Sequence, residues 1–151
     1  MLRTVPLATG SKPHMLTLSA DGRRLWVEES KASRVSILET SELESVAYIE
    51  TGKMPATNEF SPDGRFTVTT HMGDEIVMVF DTRTFGLIET VTVGKNPVNS
   101  VFRPDGRYVY VTNSKSGSVS VIDAESWRVV KTIDVGGAPF GIYLFDSTRG
   151  V

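Results

Sequence analysis

The chain has 151 residues, 40% of them hydrophobic and 23% charged, with a formal net charge of −2 and no cysteine. A chain of this length can bury one hydrophobic core without covalent cross-links. The lack of cysteine excludes disulfides, thiolate metal sites, cysteine nucleophiles and covalently attached c-type haem. The near-neutral charge argues against a strongly basic nucleic-acid binder, and the apolar runs are too short to span a bilayer.

A repeat of constant length runs through the chain. The tripeptide Asp-Gly-Arg begins at Asp21, Asp63 and Asp105, so it recurs with a period of 42 residues. Residues 61–102 and 103–144 agree at twelve of 42 positions without a gap. The same step relates Gly10, Gly52, Gly94 and Gly136, and also Pro13, Pro55, Pro97 and Pro139. Regular self-similarity of this length indicates an array of equal structural units.

In chain order, residues 3–9 align with the last strand of the repeat and are predicted as a lone outer strand. Three four-stranded units follow at about 13–51, 55–93 and 97–135, and residues 140–145 are predicted as a lone inner strand. Apolar residues alternate with a period of two, and no segment carries a helical stripe. Four strands per 42 residues is typical of a propeller blade. The sequence therefore predicts an all-β fold: one β-propeller segment over 1–151, of about 3.6 antiparallel blades, forming an incomplete ring.

The Asp-Gly-Arg landmark has turn chemistry. An aspartate that bonds the backbone and a glycine that tolerates positive φ favour a hairpin turn between the first and second strands of each unit. Because residues present in every unit are explained by the unit itself, these are predicted to be structural. They are Asp21, Gly22, Asp63, Gly64, Asp105 and Gly106.

Positions at which one unit departs from the others are the better candidates for function. His14 stands where the other units carry Ala56, Val98 and Phe140, and His71 stands in place of Glu29 and Asn113. Both map to the rim around the mouth of the central channel, where propellers commonly bind ligands. The predicted ligand-binding candidates on that rim are His14, Asn58, Glu59, His71, Asp74 and Asn99.

Two histidines near carboxylates are compatible with several chemistries. They could hold a divalent metal, flank a haem-like cofactor, or act as acid and base near neutral pH. Alternatively, both are ordinary surface histidines on loops. No catalytic residue, metal or cofactor is assigned from the sequence, and His14 and His71 are the metal candidates. Lys12, Lys53 and Lys95 recur near the unit junctions and would suit an anionic ligand.

The third unit carries a recognisable motif. Tyr110-Val111-Thr112-Asn113 follows Pro-Asp-Gly-Arg and precedes Val-Ser-Val-Ile-Asp and Val-Gly-x-x-Pro. This pattern resembles the YVTN-type β-propeller repeat over nearly the whole chain, although Trp26-Val27-Glu28-Glu29 replaces the motif in the first unit. The resemblance implies a propeller of the surface-layer or periplasmic kind. It extends distantly to the haem-d1 propellers of bacterial nitrite reductases, whose channel-mouth histidine the Pro13-His14 pair resembles.

These observations leave three functions open. The first is a non-enzymatic binding or scaffold segment that holds a small molecule or partner protein on the rim. The second is a propeller that carries a haem-like group or metal through His14 and His71, as an enzyme or as an electron-transfer or biogenesis factor. The third is a lactone hydrolase. Whether the protein is an enzyme stays open at this point.

An incomplete ring also has consequences for assembly and location. Open strand edges and uncovered blade faces predict self-association, or truncation of a larger propeller. The resemblance suggests a periplasmic or extracellular location, although the opening residues MLRTVPLATG lack the apolar core of a signal peptide.

Overall fold

The computed structural model describes residues 4–144, which form twelve β-strands in three four-stranded antiparallel sheets. The strands are β1 Pro13–Leu18, β2 Arg24–Glu29, β3 Arg34–Glu39, β4 Glu44–Glu50, β5 Pro55–Phe60, β6 Phe66–His71, β7 Ile76–Asp81, β8 Leu87–Thr92, β9 Pro97–Phe102, β10 Tyr108–Asn113, β11 Ser118–Asp123 and β12 Arg128–Asp134. Within these residues the one helical element is a 3-10 turn at Ser114–Ser116. No helix there is long and apolar enough to cross a membrane.

Each sheet is a blade whose strands pair in chain order: β1 to β4, β5 to β8 and β9 to β12. The inner strands β1, β5 and β9 lie next to one another, so the blades are arranged around a common axis. The predicted all-β propeller segment with an incomplete ring is confirmed. The breaks between sheets coincide with the 42-residue repeat.

The Asp-Gly-Arg segments form the turns between first and second strands. Asp21 Oδ1 accepts hydrogen bonds from Ser19 Oγ (2.6 Å) and from the amide of Arg23 (3.0 Å), and Gly22 adopts a φ of +71°. Thr40 Oγ1 donates to the Gly22 carbonyl at 2.8 Å, which ties this turn to the next loop. The turns at Asp63-Gly64 and Asp105-Gly106 repeat the aspartate-to-backbone bond and the positive φ.

Two apolar clusters join the blades. Between the first and second blades, Trp26 packs edge-on against Phe60 and Phe85, with ring centroids 5.6 and 5.9 Å apart. Between the second and third blades, the valines of β6 and β7 meet those of β10, and Phe66 packs edge-on against Trp127 at 5.4 Å. Each blade is therefore held chiefly through the face it presents to its neighbour.

The two terminal segments do not form the predicted lone strands. Residues 4–9 and 140–144 have no strand structure, while residues 3 and 145 lie outside the described part of the chain. A strand needs a hydrogen-bonded partner strand, and residues 4–144 supply none for these two segments. The C-terminal segment nevertheless follows the path of an inner strand: Thr112 Oγ1 donates to the Phe140 carbonyl at 3.0 Å, as Thr70 Oγ1 does to Val98.

Candidate functional site

The arc has two rims that differ in their loops. One rim, here called the linker rim, carries the inter-blade links 51–54 and 93–96 and the loops between second and third strands. The amides of Met72 and Gly73 donate to the carbonyls of Met54 and Lys53, which fixes such a loop against a link. The opposite rim, here called the turn rim, carries the Asp-Gly-Arg turns.

His14 lies on the linker rim with an exposed side chain. It sits in a β-bulge, because the pairing of β1 with β2 shifts register between Pro13 and Leu16. Its Nδ1 lies 3.0 Å from the carbonyl oxygen of Ala56 in the second blade. A carbonyl oxygen only accepts hydrogen bonds, so Nδ1 carries the proton and a neutral ring keeps a lone pair on Nε2.

The other blades satisfy the corresponding carbonyl in a different way. Thr70 Oγ1 donates to the Val98 carbonyl at 3.0 Å, and Thr57 Oγ1 approaches the same oxygen at 3.3 Å. In the first blade these positions are held by Glu28 and Met15, and His14 provides the hydrogen bond instead. The exposed histidine is therefore part of the junction between blades as well as of the rim.

Glu28 is a functional candidate that the sequence argument missed. Its side chain is fully buried between the first two blades, and neither carboxylate oxygen has a hydrogen-bond partner. Burial raises its pKa to about 8, although the neighbouring amide of Asn58 acts in the opposite direction. The available signal was the departure from Thr70 and Thr112 at the same repeat position.

Asn58 and Glu59 lie on adjacent positions of the second inner strand and face opposite blades. Asn58 is buried and accepts a 2.6 Å bond from Thr69 Oγ1 at its side-chain oxygen, while its Nδ2 has no partner. Glu59 lies opposite Val68 in the pairing of β5 with β6, and its side chain is on the other face of the sheet from that of Asn58. Burial raises the pKa of its carboxyl despite a hydrogen bond with the backbone of Phe102. The structure thus brings Asn58 to Glu28 and directs Glu59 towards the third blade.

The backbone of His71 lies at the linker rim, but its side chain points into the protein. The imidazole is completely buried, and neither ring nitrogen has a partner. Burial lowers its pKa to about 4, although Asp74 and the backbone of Ile76 favour the charged form. Its counterparts do have partners: Glu29 accepts hydrogen bonds from Ser36 and Arg34, and Asn113 Nδ2 donates to Ser118 and Ser120, although Asn113 Oδ1 has none.

The last two predicted candidates have local roles in the backbone. Asp74 Oδ2 accepts a 2.7 Å bond from the amide of Lys53 and so holds its loop to the inter-blade link. The amide of Asn99 donates to Thr112 Oγ1 at 3.1 Å, within the pairing of β9 and β10. Of the six predicted candidates, only His14 has an exposed side chain.

The linker rim is rich in lysine, whereas the turn rim is rich in arginine. Asp74 and Glu75 moderate the resulting positive charge. An anionic ligand near His14 would still meet several mobile ammonium groups. The exposed lysines of the linker rim are Lys12, Lys31, Lys53, Lys95 and Lys115.

A concave surface is also found on the turn rim. A groove of about 500 Å³ between the first and second blades is lined by Arg23, Arg24 and Arg83 together with three carboxylates. Arg24 is already engaged there, since it donates to the Thr82 carbonyl and lies over the Phe85 ring. Within residues 4–144, no three histidine, aspartate or glutamate side chains converge in a way that could hold a metal ion.

Three blades with inner strands around one axis define an arc of a β-propeller, and one of its rims carries an exposed histidine and lysines. The chain belongs to the Cytochrome D1 heme domain family, whose pattern matches residues 14–143. No curated protein sequence matched the chain.

Solved structures share the fold of this chain. Kuenenia stuttgartiensis hydrazine synthase is similar with a TM-score of 0.81 at 23% identity, over 85% of this chain and 38% of that one. The periplasmic gluconolactonase PpgL of Pseudomonas aeruginosa gives 0.78 at 25% identity, over 90% and 43%. The dihydro-heme d1 dehydrogenase NirN, solved in complex with DHE, gives 0.68 at 27% identity, over 91% and 30%. The chain therefore spans less than half the length of each of these relatives.

Proposed function

We propose that the chain is a binding segment of a propeller and that a haem-like tetrapyrrole is the ligand of its linker rim. The single observation that carries the proposal is the hydrogen bond from His14 Nδ1 to the Ala56 carbonyl. It fixes one proton on the ring and leaves Nε2 exposed as a lone-pair donor. Histidines that bind iron are commonly held in this way by a carbonyl behind the ring.

The residues present fit such a group. His14 would supply a nitrogen ligand to the iron, and rim lysines such as Lys12 and Lys53 would pair with the carboxylates of the tetrapyrrole. When bound, the iron would supply redox and ligand-binding chemistry. The protein's part would be to hold the imidazole, orient the macrocycle and neutralise its acidic groups. Membership of the family and the similarity to NirN support this choice.

The test is a titration with haemin, followed by visible absorbance, on the full chain. We expect a Soret shift on binding, and His14→Ala should weaken the affinity by about tenfold or more. The matched control is His71→Asn, which removes the buried histidine and places there the residue found in the third blade. Equal affinity in the wild type and His14→Ala, or no binding in the wild type, would contradict the proposal.

The lactone hydrolase alternative has less support. The similarity to PpgL is one of fold. Hydrolysis through a metal would need several carboxylates in the channel, and Glu59 is the one acidic side chain placed along the described inner strands. The binding function is therefore preferred to this enzymatic one.

We also propose a periplasmic or cell-surface location. The resemblance of the repeat to YVTN-type propellers and the similarity to a periplasmic gluconolactonase support it. Fractionation of the native host, with an antibody against this chain, would test the proposal. Recovery in the cytoplasmic fraction alone would contradict it.

A further inference from the structure

We propose that Glu28 and Met15 position His14. Their counterparts in the second blade, Thr70 and Thr57, bond a carbonyl of the next inner strand, whereas Glu28 and Met15 leave the equivalent Ala56 carbonyl to His14. The inference rests on the proposed function for its biological meaning. Its structural basis is independent of any ligand. It adds two residues, neither of which contacts the ligand, to the determinants of the rim.

The second blade shows the ordinary arrangement. Thr70 Oγ1, on β6, lies 3.0 Å from the Val98 carbonyl of the third blade and 3.0 Å from Thr57 Oγ1. Thr57 Oγ1 reaches the same carbonyl at 3.3 Å. The two hydroxyls carry two hydrogens between them, so one can donate to the Val98 carbonyl while the other reaches the same oxygen or joins the two threonines.

The third blade repeats half of this arrangement. Thr112 Oγ1 donates to the Phe140 carbonyl at 3.0 Å, and the amide of Asn99 donates to Thr112 Oγ1 at 3.1 Å. In both blades, therefore, a threonine on the second strand hydrogen-bonds two inner strands: that of its own blade, at the bulge, and that of the next blade. This threonine position is called the hub below. Neither hub blade has a histidine at the position of His14.

The first blade lacks both hydroxyls. Glu28 takes the hub position, and its buried carboxyl makes no hydrogen bond to the Ala56 carbonyl. Met15 takes the position of Thr57, and a thioether cannot donate. The Ala56 carbonyl therefore lacks its usual donors, and the Nδ1–H group of His14 occupies that place at 3.0 Å.

The bulge explains how His14 can replace the hub. Glu28 lies opposite the irregular stretch between Pro13 and Leu16, which contains both His14 and Met15. The imidazole reaches across to the second blade from this bulge, and β5 has the same irregularity between Pro55 and Asn58, so the side chain at this position is what differs between the two blades. Because a buried carbonyl left without a donor is destabilising, this hydrogen bond holds the ring in one orientation.

The experiment introduces the two threonines of the second blade into the first blade and measures which ring nitrogen of His14 carries the proton. We compare His71→Asn, in which His14 is the sole histidine, with the same protein carrying Met15→Thr and Glu28→Thr. In the first protein, ¹⁵N NMR at pH 8 should show the proton on Nδ1. In the second, the two threonines should fill the Ala56 carbonyl and shift the population towards the Nε2–H form.

Several comparisons sharpen the test. Glu28→Thr alone should produce a smaller shift of the tautomer population, and Glu44→Thr on the exposed outer strand should produce none. The threonines are the residues the second blade uses at these positions, so the variants should fold, which far-UV circular dichroism and the unfolding midpoint would verify. The restored variant should bind haemin about tenfold more weakly.

The outcomes separate the two proposals. An unchanged tautomer in the folded double variant would overturn the role of Glu28 and Met15, whatever happens to haemin binding. A shifted tautomer supports that role even if no variant binds haemin, a result that would instead contradict the proposed function. A wild-type His14 already protonated at Nε2 would overturn the positioning role directly.

Discussion

Gly52 lies directly against the imidazole of His71, with no room between them for a side chain. A Cβ at Gly52 would stand 3.0 Å from His71 Cδ2 and 3.0 Å from Asp74 Oδ2. The next repeat has the same contact, where a Cβ at Gly94 would stand 2.7 Å from Asn113 Cγ. At these two links the polar residue that ends the second strand packs beneath the glycine, whereas Gly10 and Gly136 of the same series have open space there and a positive φ instead.

This contact predicts the effect of enlarging the glycine. Gly94→Ala should lower the free energy of unfolding by about 1–3 kcal/mol, because the new methyl overlaps a buried side chain held by two serines. Gly141→Ala is the matched control, since the nearest atom there is 3.6 Å away. Urea denaturation would measure both, and equal stability of the two variants would contradict the prediction.

Burial of His71 predicts a loss of stability in acid. Its pKa is lowered from 6.5 to about 4, so the unfolded chain binds a proton in that interval that the folded chain does not. The contribution is fully present above pH 6.5 and is lost as the pH falls towards 4, by roughly 3 kcal/mol. His71→Asn should remove this dependence. Parallel stability curves for the two proteins between pH 7 and pH 4 would show that His71 does not contribute.

Burial of Glu28 predicts the opposite dependence. Its pKa is raised from 4.5 to about 8, so the fold favours the protonated acid. This contribution to the free energy of unfolding is fully present below pH 4.5 and is lost as the pH rises through 8. The loss is about 4 kcal/mol. Glu28→Gln should therefore gain stability over the wild type between pH 5 and pH 9. Urea denaturation would measure the free energy of unfolding of both proteins across this range. A difference between them that does not change with pH would refute the prediction.

The two tryptophans should differ in their importance. Trp26 is 1% exposed and contacts two aromatic rings of the second blade, so Trp26→Ala should cost about 3–5 kcal/mol. Trp127 is partly exposed and contacts a single ring, that of Phe66. Trp127→Ala should cost less. Thermal unfolding of the two variants would decide, and a larger loss at Trp127 would contradict the packing argument.

We propose that the isolated chain self-associates through its first blade. The inner strand β1 exposes Met15, Leu16 and Leu18 by 47, 59 and 52%, whereas the neighbouring blade covers the equivalent side of β5. Sedimentation should show mass above 16.5 kDa that increases with concentration. Leu18→Lys should reduce the association, and Val46→Lys, on an outer strand with 51% exposure, should not. A wild-type monomer at all concentrations would rule this out.

The repeat made the fold predictable, whereas the chemistry of the site depended on neighbours that the repeat does not specify. Strand positions and turns follow from the 42-residue period and from residues such as Gly22, because they depend on local chemistry. The lack of hydrogen-bond partners at His71 could not be foreseen from that residue alone, because Glu29 and Asn113 are equally buried and it is Ile76 and Met78 that replace the polar partners found in the other blades. The proposed role of Glu28 could be recognised only by comparing the hydrogen bonds of equivalent positions in the three blades, since a single glutamate in a sequence does not show which hydrogen bonds it lacks.

The open arc also gives the three blades unequal protection. The second blade has a neighbour on each side, whereas the first and third blades each have one described neighbour. In a linear array, opening begins at the ends, where the fewest contacts must be broken. Amide protons in β6 and β7 should therefore exchange with deuterium most slowly, and β1 and β12 should lose theirs first.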